Sequence, residues 1–544
     1  MNFIAQESQQ KLRGGYYTDL DIASFLTRWL VESKPRRILE PSCGDGNFFD
    51  ALAAARHDCL ESVVGCELNP EEASKAERRA KSLNGTLDVF VGDFLLWSLE
   101  RAASAPLFDA VLGNPPFIRY QYLDATLQAR AEQIFQRFNL AFTRHTNAWV
   151  PFVIASLAML RPGGRLAMVV PSELLHVIHA RSLRHFLLEQ CSRVLVIDPE
   201  DIWFGDTLQG VVLLLAEKRC KGEEKTAQVS ITAVRGRDAL KRPAREYFEK
   251  GDFFPGSILN GKWMLGLLTR SERRLFAALE GNPAIRSFAD VATVDVGIVT
   301  GANKFFLVPD AVVEQYQLHA WAHPMYGRSE HVGGVIYTPF DHARNKRSGL
   351  PANFLWFNDD PPLSASAREY IALGERESLH KRFKCRVRSP WYCVPSVYVA
   401  PVGMLKRCHH LPRLILNKAK AYTTDTAYRV STKKGVSAID FVGSFVNSLT
   451  ALSAELEGRH YGGGVLELVP SEIERILVPL SSISEESLAS LDKAIRDGAA
   501  PENLLALQDS VVLRPLGVKR AECEELLTAW DRLRNRRQRV TTEE

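Results

Sequence analysis

The chain has 544 residues, of which 46% are hydrophobic and 24% are charged, an ordinary composition for a globular protein. A disordered, collagen-like or fibrous protein is thereby excluded, and the length predicts two or three domains. No apolar run reaches the ~20 residues that a membrane span needs, and the first residues lack the apolar region of a secretory signal. We therefore expect no membrane partner. Because the nine cysteines show no pairing pattern, we also expect a cytoplasmic protein with reduced thiols.

The net charge of +4 is unevenly distributed along the chain. Residues 1–250 contain 31 basic and 31 acidic side chains, so the whole excess of positive charge lies in the second half. Within that half, residues 381–435 carry 13 Lys and Arg and a single acid, Asp425. A basic block beside a neutral half indicates that one part of the molecule meets a polyanion.

Short β-rich runs alternate with helical stretches in the first part of the chain. Several of the runs are continuously apolar, as in strands that are covered on both faces. Asn69 followed by Pro70 is typical of a helix start. The alternation predicts an α/β fold with a seven-stranded, mostly parallel, doubly wound sheet. The seven predicted strands are Arg37–Leu39, Ser62–Glu67, Leu87–Val91, Ala110–Leu112, Arg165–Val170, Arg193–Ile197 and Val211–Ala216.

The alternation stops after Glu217, where a polar segment begins. We therefore predict three regions: an N-terminal domain over residues 1–220, a linker region over residues 221–250, and a mixed α+β domain over residues 251–544.

A glycine-containing turn follows the first predicted strand, in the sequence Glu40-Pro-Ser-Cys-Gly-Asp-Gly46. Glycines in such a turn let the backbone approach a ligand closely. Glu67 ends the second strand, where a carboxylate can accept hydrogen bonds from the ribose hydroxyls of a nucleoside. Asp93 ends the third strand, where it can accept from an adenine amino group while Phe94 covers the ring. The pattern lacks a phosphate-binding glycine spacing, so it favours a cationic nucleoside cofactor over a dinucleotide.

The turn after the fourth strand reads Gly113-Asn-Pro-Pro-Phe117. Two consecutive prolines stiffen the backbone and leave its carbonyl groups free to point outward. The side-chain oxygen of Asn114 and the carbonyl of Pro115 together form two acceptors, which match the two hydrogens of an exocyclic amine. Phe117 offers a flat apolar face for a planar base. The turn therefore predicts a site that orients an amine on a base.

In this order, these motifs resemble the class I S-adenosylmethionine-dependent methyltransferases, and more closely the gamma-class N6-adenine DNA methyltransferases of bacterial type II restriction–modification systems. The resemblance implies that Asn114, Pro115 and Phe117 are catalytic. It also implies a cofactor pocket, with Thr18 near the methionine moiety, Glu40 on the cofactor's amino group, and Glu67 and Asp93 on the ribose and the adenine. The remaining implied cofactor contacts are Ser42, Gly44, Gly46, Phe94 and Pro116.

The resemblance extends into the second half of the chain. The sequence Ile-Trp-Phe-Gly-Asp206 lies where the family keeps a second aromatic residue against the flipped base, which implies Phe204 beside Phe117, with Trp203 as the alternative. Residues 296–306 and 459–468 resemble parts of the family's target-recognition domain. By this resemblance, residues 1–220 form the cofactor-binding catalytic domain and residues 251–544 form the DNA target-recognition domain.

The basic stretch fits duplex DNA as the partner, because Lys and Arg neutralise phosphates and a subset of side chains reads base edges. The predicted DNA-binding residues are Arg382, Arg386, Arg388, Arg413, Lys418 and Lys420. Cysteine and histidine residues in this stretch do not match a zinc spacing, so no metal is expected.

The resemblance implies a site-specific, S-adenosylmethionine-dependent DNA methyltransferase that protects bacterial DNA from a separate cognate restriction endonuclease. Three alternatives stay open: an N4-cytosine DNA methyltransferase, a methyltransferase for RNA or protein amines, and an inactive DNA-binding defence component. Asn at position 114, rather than Ser, favours adenine over cytosine. No cysteine follows a proline, which argues against methylation of a cytosine carbon.

Overall fold

A computed structural model describes residues 17–55, 57–101, 108–203, 210–259, 261–358, 361–461 and 463–538. The chain forms two compact units. Among the described residues, unit 1 extends to residue 270 and unit 2 comprises residues 271–538. The division therefore falls at residue 270, later than the predicted linker region 221–250. None of the helices in the described segments is both long enough and apolar enough to cross a membrane.

Unit 1 is built on a nine-stranded sheet with the strand order β3-β2-β1-β4-β5-β7-β6-β8-β9. Most neighbouring strands are parallel, and only β7 and β9 run against the strands beside them. The strands are β1 (Arg37–Glu40), β2 (Ser62–Glu67), β3 (Thr86–Val91), β4 (Phe108–Gly113), β5 (Leu160–Pro171), β6 (Cys191–Pro199), β7 (Val211–Lys218), β8 (Gln228–Val234) and β9 (Phe254–Pro255).

All seven predicted strands are present, but the predicted count of seven is too low. The two additional strands, β8 and β9, extend the sheet beyond β6. Strand β8 lies inside the predicted linker region and pairs in parallel with β6 along its whole length. Its sequence, QVSITAV, mixes polar and apolar residues and follows a polar segment, so it lacks the continuous apolar run that marks the central strands.

Helices cover both faces of this sheet. Its α-helices are α1 (Leu20–Val31), α2 (Asn47–Ala54), α3 (Pro70–Arg79), α4 (Phe94–Arg101), α5 (Ala125–Arg137), α6 (Trp149–Ala158), α7 (Glu173–His176), α8 (Arg181–Gln190) and α9 (Ala244–Lys250). Helices α1, α2, α3 and α9 share one hydrophobic cluster with the strands. Helices α4, α5, α6 and α8 contact one another in a second layer. The predicted start of α3 is confirmed, since the Asn69 side chain accepts a hydrogen bond of 2.9 Å from the Glu71 amide.

Unit 2 is a mixed α+β structure with four small sheets. A five-stranded sheet has the order β11-β20-β16-β18-β14, and a four-stranded sheet has the order β12-β15-β13-β19. Strands β17, β22 and β21 form a third sheet, and β10 pairs with β23. The strands are β10 (Ile285–Ser287), β11 (Ala292–Val296), β12 (Leu307–Val308), β13 (Ala322–Tyr326), β14 (Ile336–Tyr337), β15 (Asn353–Leu355), β16 (Val402–Leu405), β17 (Arg407–Cys408), β18 (Leu414–Asn417), β19 (Tyr422–Thr423), β20 (Ala427–Thr432), β21 (Arg459–Tyr461), β22 (Val465–Glu467) and β23 (Leu477–Pro479).

The helices of unit 2 include one that is buried along almost its whole length, at residues 448–456. The α-helices are α10 (Arg270–Glu280), α11 (Phe288–Val291), α12 (Asn303–Phe306), α13 (Asp310–Gln315), α14 (Pro339–Arg347), α15 (Ala365–Arg376), α16 (Phe383–Arg386), α17 (Ala438–Ser444), α18 (Ser448–Glu457), α19 (Pro470–Ile473), α20 (Glu485–Arg496), α21 (Pro501–Val512) and α22 (Arg520–Gln538). Arg537 on α22 forms an ion pair of 2.7 Å with Glu455 on α18, and both side chains are fully buried. The ion pair therefore ties the last helix to the centre of the unit.

The start of α18 depends on a buried carboxylate from α21. Asp509 accepts one hydrogen bond from the Ser448 amide, at 2.8 Å, and another from the Ser448 hydroxyl, at 2.6 Å. Burial raises the pKa of Asp509 to about 6, although both hydrogen bonds act to lower it. The Asp509 carboxylate thus stabilises the start of α18, although its own removal from water is unfavourable.

We expect Asp509→Asn to flatten the pH dependence of stability between about pH 4 and pH 6. The pKa of Asp509 is higher in the folded chain than in the unfolded one, so the folded state loses stability as the pH rises through this window. Two pKa units correspond to about 3 kcal/mol. Thermal unfolding midpoints of both proteins from pH 4 to pH 7.5 measure the effect. An unchanged pH profile in the variant would contradict this assignment.

Candidate functional site

Four neighbouring strands end at the same edge of the unit 1 sheet. In the order β3, β2, β1, β4, each is parallel to the next. Their carboxyl ends therefore bring Asp93, Glu67, Glu40 and Asn114 to one edge, in that order across the sheet. Open α/β sheets bind their ligands at such an edge.

The glycine turn after β1 is held closely against α3. Gly46 has a φ of +94°, and a Cβ atom added there would lie 2.8 Å from the Cα of Ala76, so any other residue would clash with backbone. Arg79 on α3 forms ion pairs with Asp45 at 2.8 Å and with Asp50 at 3.0 Å, and also donates to the side chain of Asn47. Arg79 thus fixes the turn from outside, a role that sequence spacing does not reveal.

Glu40, at the end of β1, is buried with 1% of its surface exposed. Burial raises its pKa well above the ordinary value, and the neighbouring carboxylates of Asp45 and Glu67 raise it further. Its Oε2 atom has no hydrogen-bond partner among the described residues. A buried carboxylate in this state is best compensated by a cationic donor from a ligand. This requirement fits the amino group of the predicted cofactor.

Glu67, at the end of β2, accepts backbone hydrogen bonds on both carboxylate oxygens, from Gly44 at 3.0 Å and from Asn69 at 2.8 Å. Desolvation raises the pKa of Glu67, while these two hydrogen bonds act to lower it. The carboxylate is therefore fixed against the glycine turn. Leu68, which follows it, is 61% exposed, and this apolar side chain beside the turn was not identified from the sequence.

Asp93 follows β3 and has two partners. Its Oδ1 atom accepts from the Leu95 amide at 2.9 Å, and its Oδ2 atom forms an ion pair with Arg130 on α5. Arg130 was not predicted, because its position relative to Asp93 depends on how α5 packs. Phe94 differs from its predicted role: it is buried and packs against Phe152, with ring centroids 5.2 Å apart. The structure therefore places Phe94 in the core instead of over a ligand.

Thr18, which is predicted to lie near the methionine moiety of the cofactor, belongs to a segment that is described from Tyr17 onward. The Tyr17 hydroxyl donates to Glu72 at 2.9 Å, and the Thr18 carbonyl accepts from the Asn47 side chain at 2.9 Å. Thr18 is buried, and its hydroxyl has no hydrogen-bond partner within the described chain. The segment is thus held beside the glycine turn, and its Thr18 hydroxyl has unused hydrogen-bonding capacity.

The Asn-Pro-Pro-Phe loop is joined directly to the glycine turn. The Ser42 hydroxyl donates a hydrogen bond of 2.9 Å to the backbone carbonyl of Asn114. Pro115 is buried, and Asn114 and Pro116 are half-buried. Phe117 is also half-buried and packs against the hydrophobic cluster of the sheet. The structure therefore brings Glu40, Ser42 and the Asn-Pro-Pro-Phe loop together.

The second predicted stacking residue, Phe204, lies outside the described residues. Trp203, the alternative, is 3% exposed and belongs to the hydrophobic cluster of the sheet. Because Trp203 is packed in the core, it does not offer a free face to a base. Phe204 remains the predicted residue.

The six predicted DNA-binding residues of unit 2 fall into two groups. Arg382, Arg386, Lys418 and Lys420 are exposed. Arg388 instead donates to the backbone carbonyls of Thr300 and Val299, both at 2.7 Å.

Arg413 is the other residue that is not exposed. It lines a cavity of about 440 Å³, and burial lowers its pKa. Its predicted contact with DNA is therefore not supported by its position, and the same holds for Arg388. Within the part of the chain that the structure describes, no group of three or more His, Cys, Asp or Glu side chains could hold a metal ion.

Two family models match the chain. Residues 53–203 match the Eco57I restriction-modification methylase, and residues 260–513 match the C-terminal domain of the type II methyltransferase M.Eco57I. The two matches lie in the first and second halves of the chain and together span most of it.

Similar proteins cover nearly the full length. The type II methyltransferase M.AccI of Acinetobacter calcoaceticus is 22% identical, over 87% of this chain and 86% of its own. M.XamI of Xanthomonas campestris pv. amaranthicola is 23% identical, over 86% of this chain and 85% of its own. Among solved structures, the type IIL restriction-modification enzyme MmeI in complex with DNA is similar with a TM-score of 0.49 and 11% identity, over 94% of this chain and 72% of that chain. The chain therefore belongs to the DNA methyltransferases of type II restriction–modification systems.

Proposed function

We propose that this protein transfers a methyl group from S-adenosylmethionine to the N6 amine of an adenine within a short sequence of duplex DNA. The observation that carries this proposal is the hydrogen bond from Ser42 to the Asn114 carbonyl. It joins the loop beside the buried Glu40 to an Asn-Pro-Pro-Phe sequence, so a cationic cofactor and an exocyclic amine can be held side by side.

The donors and acceptors at the sheet edge suit S-adenosylmethionine, which supplies an electrophilic methyl group when bound. Glu40 would hold the amino group of its methionine part, with the Thr18 hydroxyl nearby, since both have unused hydrogen-bonding capacity. Glu67 would accept from the ribose, and Asp93 would lie near the adenine. We assign the covering of that ring to Leu68 instead of Phe94, because Leu68 is exposed and Phe94 is buried.

The catalytic loop would act by orientation. The Asn114 side-chain oxygen and the Pro115 carbonyl accept the two hydrogens of the target amine and direct its lone pair away from them. Fixed acceptors also stabilise the positive charge that develops on the nitrogen during transfer. Since no covalent bond to the protein is needed, the rate depends mainly on how firmly the loop is positioned.

An adenine inside a duplex cannot present its amine to this edge of the sheet, so we propose that the base is flipped out of the stack. Phe117 would then cover one face of the base and Phe204 the other. Unit 2 would bind the duplex through its exposed cations, including Arg382, Arg386, Lys418 and Lys420. In a restriction–modification system, the product protects host DNA from a cognate endonuclease, which we propose is a separate protein.

Glu40→Gln should stabilise the protein without cofactor at pH 7 and weaken cofactor binding. Because the pKa of Glu40 is raised in the folded chain, the folded state loses stability relative to the unfolded state as the pH rises above the ordinary carboxyl pKa. Glutamine does not ionise and removes this loss. It also removes a charged hydrogen bond to the ligand, which should lower the affinity about 10- to 100-fold.

Calorimetric binding of S-adenosylmethionine and thermal unfolding at pH 5 to 8 test both effects. Glu77→Gln is the matched control, since it is the same substitution at an exposed position on α3. Cofactor affinity equal to that of the natural chain would rule out the role assigned to Glu40.

Asn114→Ala should reduce methyl transfer by about 100-fold or more while leaving cofactor affinity nearly intact. The backbone carbonyl that accepts from Ser42 is retained in this variant, so the loop keeps its attachment. Single-turnover transfer of a labelled methyl group to DNA is the measurement. Asn84→Ala, at an exposed position of the same unit, is the control. Substantial turnover in Asn114→Ala would contradict the assigned role.

Single-molecule sequencing of DNA from a methylation-free host that expresses the chain identifies the product. We expect N6-methyladenine at one short motif. N4-methylcytosine would keep the mechanism and change the base. Unmodified DNA, with S-adenosylmethionine bound by the purified protein, would overturn DNA as the substrate in favour of RNA or protein amines. Unmodified DNA without cofactor binding would favour an inactive DNA-binding component.

A further inference from the structure

A short turn in unit 2 exposes two large apolar side chains. Phe383, the first residue of α16, is 64% exposed, and Val387, directly after that helix, is 68% exposed. They are four residues apart, and the backbone at Val387 is still close to helical, so both side chains lie on one side of the turn. Exposing two large apolar side chains together is unfavourable in water, which indicates that this surface has a partner.

The turn is firmly held by the residues between and after these two side chains. Cys385 is fully buried, and its thiol lies 3.8 Å from the Thr300 carbonyl. Arg388 donates to the carbonyls of Thr300 and Val299. A Cβ atom added at Gly301 would lie 2.7 Å from the Cβ of Lys384, so the turn packs directly against the backbone beneath it. The exposed side chains are thus presented on a fixed support.

Positive charge surrounds the two apolar side chains. Lys381, Arg382, Lys384 and Arg386 are exposed, and none forms an ion pair with another described residue. Lys384 and Arg386 lie over the Phe383 ring, with distances to its centroid of 5.6 Å and 5.4 Å. The sequence contains no acid between residues 378 and 424. The partner must therefore combine dense negative charge with a small apolar surface, of the size that two side chains can contact.

Duplex DNA has this combination, because its phosphates flank stacked bases whose faces are apolar. Protein interfaces are depleted of lysine at their centres, and a membrane-binding helix presents a longer apolar face than one turn. We propose that Phe383 and Val387 form a wedge that enters the base stack of bound DNA at one step, while the four surrounding cations contact phosphates. Side chains of this kind partly unstack a base step and bend the duplex. This inference rests on the proposed function in DNA methylation.

The wedge can be tested with the full chain and its recognition duplex, in which 2-aminopurine replaces single bases along the site and its flanks. We expect fluorescence to rise at the target adenine and at a second position. In Phe383→Ala and Val387→Ala, the second signal should be lost while the target signal remains, and Phe383→Ala should weaken binding of the duplex about 10-fold. Phe383→Leu, which keeps an apolar side chain, should retain part of the second signal.

Phe340→Ala is the matched control. Phe340 is 69% exposed in the same unit and also lies near an arginine, Arg347, but outside the acid-free block. A second signal that persists in Phe383→Ala, or that is absent from the natural chain while the target signal is present, would overturn the wedge alone. Loss of binding to phosphatidylserine vesicles in Phe383→Ala, with unchanged DNA signals, would assign the turn to membranes instead. Absence of methylation and of every DNA signal would overturn both the wedge and the proposed function.

Discussion

The burial of Glu40 is the constraint on which the candidate site depends. A carboxylate taken out of water needs a counter-charge or several hydrogen bonds, and the described residues provide neither for its Oε2 atom. The negative charges of Asp45 and Glu67 make its ionisation harder. Arg79 pairs with Asp45 and Asp50 instead of with Glu40. The fold thus keeps one acid in an unfavourable state at the point where a cationic ligand would relieve it.

The parallel arrangement of the strands places further functional groups on both sides of Glu40. Because β1 lies between β2 and β4, Glu40 has the acid of β2 on one side and the Asn-Pro-Pro-Phe loop on the other. The hydrogen bond from Ser42 to Asn114 then fixes the spacing between the two loops. A reaction that needs no covalent intermediate and no acid or base of unusual strength depends on such spacing more than on reactive side chains. In the proposed reaction, the rigidity of the two loops would therefore contribute to catalysis.

Much of unit 1 could be predicted from the sequence, because apolar strands and the motifs at their ends are local features. Strand β8 was missed since an outer strand of mixed polarity resembles a loop in its composition. Phe94 was assigned to the ligand because it follows Asp93, but the direction of a side chain at a helix start is set by the layer against which the helix packs. Arg130 reaches Asp93 from another helix, and no spacing rule connects residues 37 positions apart.

The basic stretch of unit 2 shows the same limit for charges. The sequence shows only how many Lys and Arg residues the stretch contains, whereas the structure shows which groups each of them contacts. Arg388 is held by backbone carbonyls and supports the turn from below, while its neighbours Arg382 and Arg386 face solvent. A half-buried cation with carbonyl partners positions the chain, and an exposed one without an acid partner is available to a polyanion. The proposed wedge needs both kinds of cation at the same turn. The exposed cations contact the phosphates, and Arg388 keeps the turn rigid, so that Phe383 and Val387 can enter a stiff duplex.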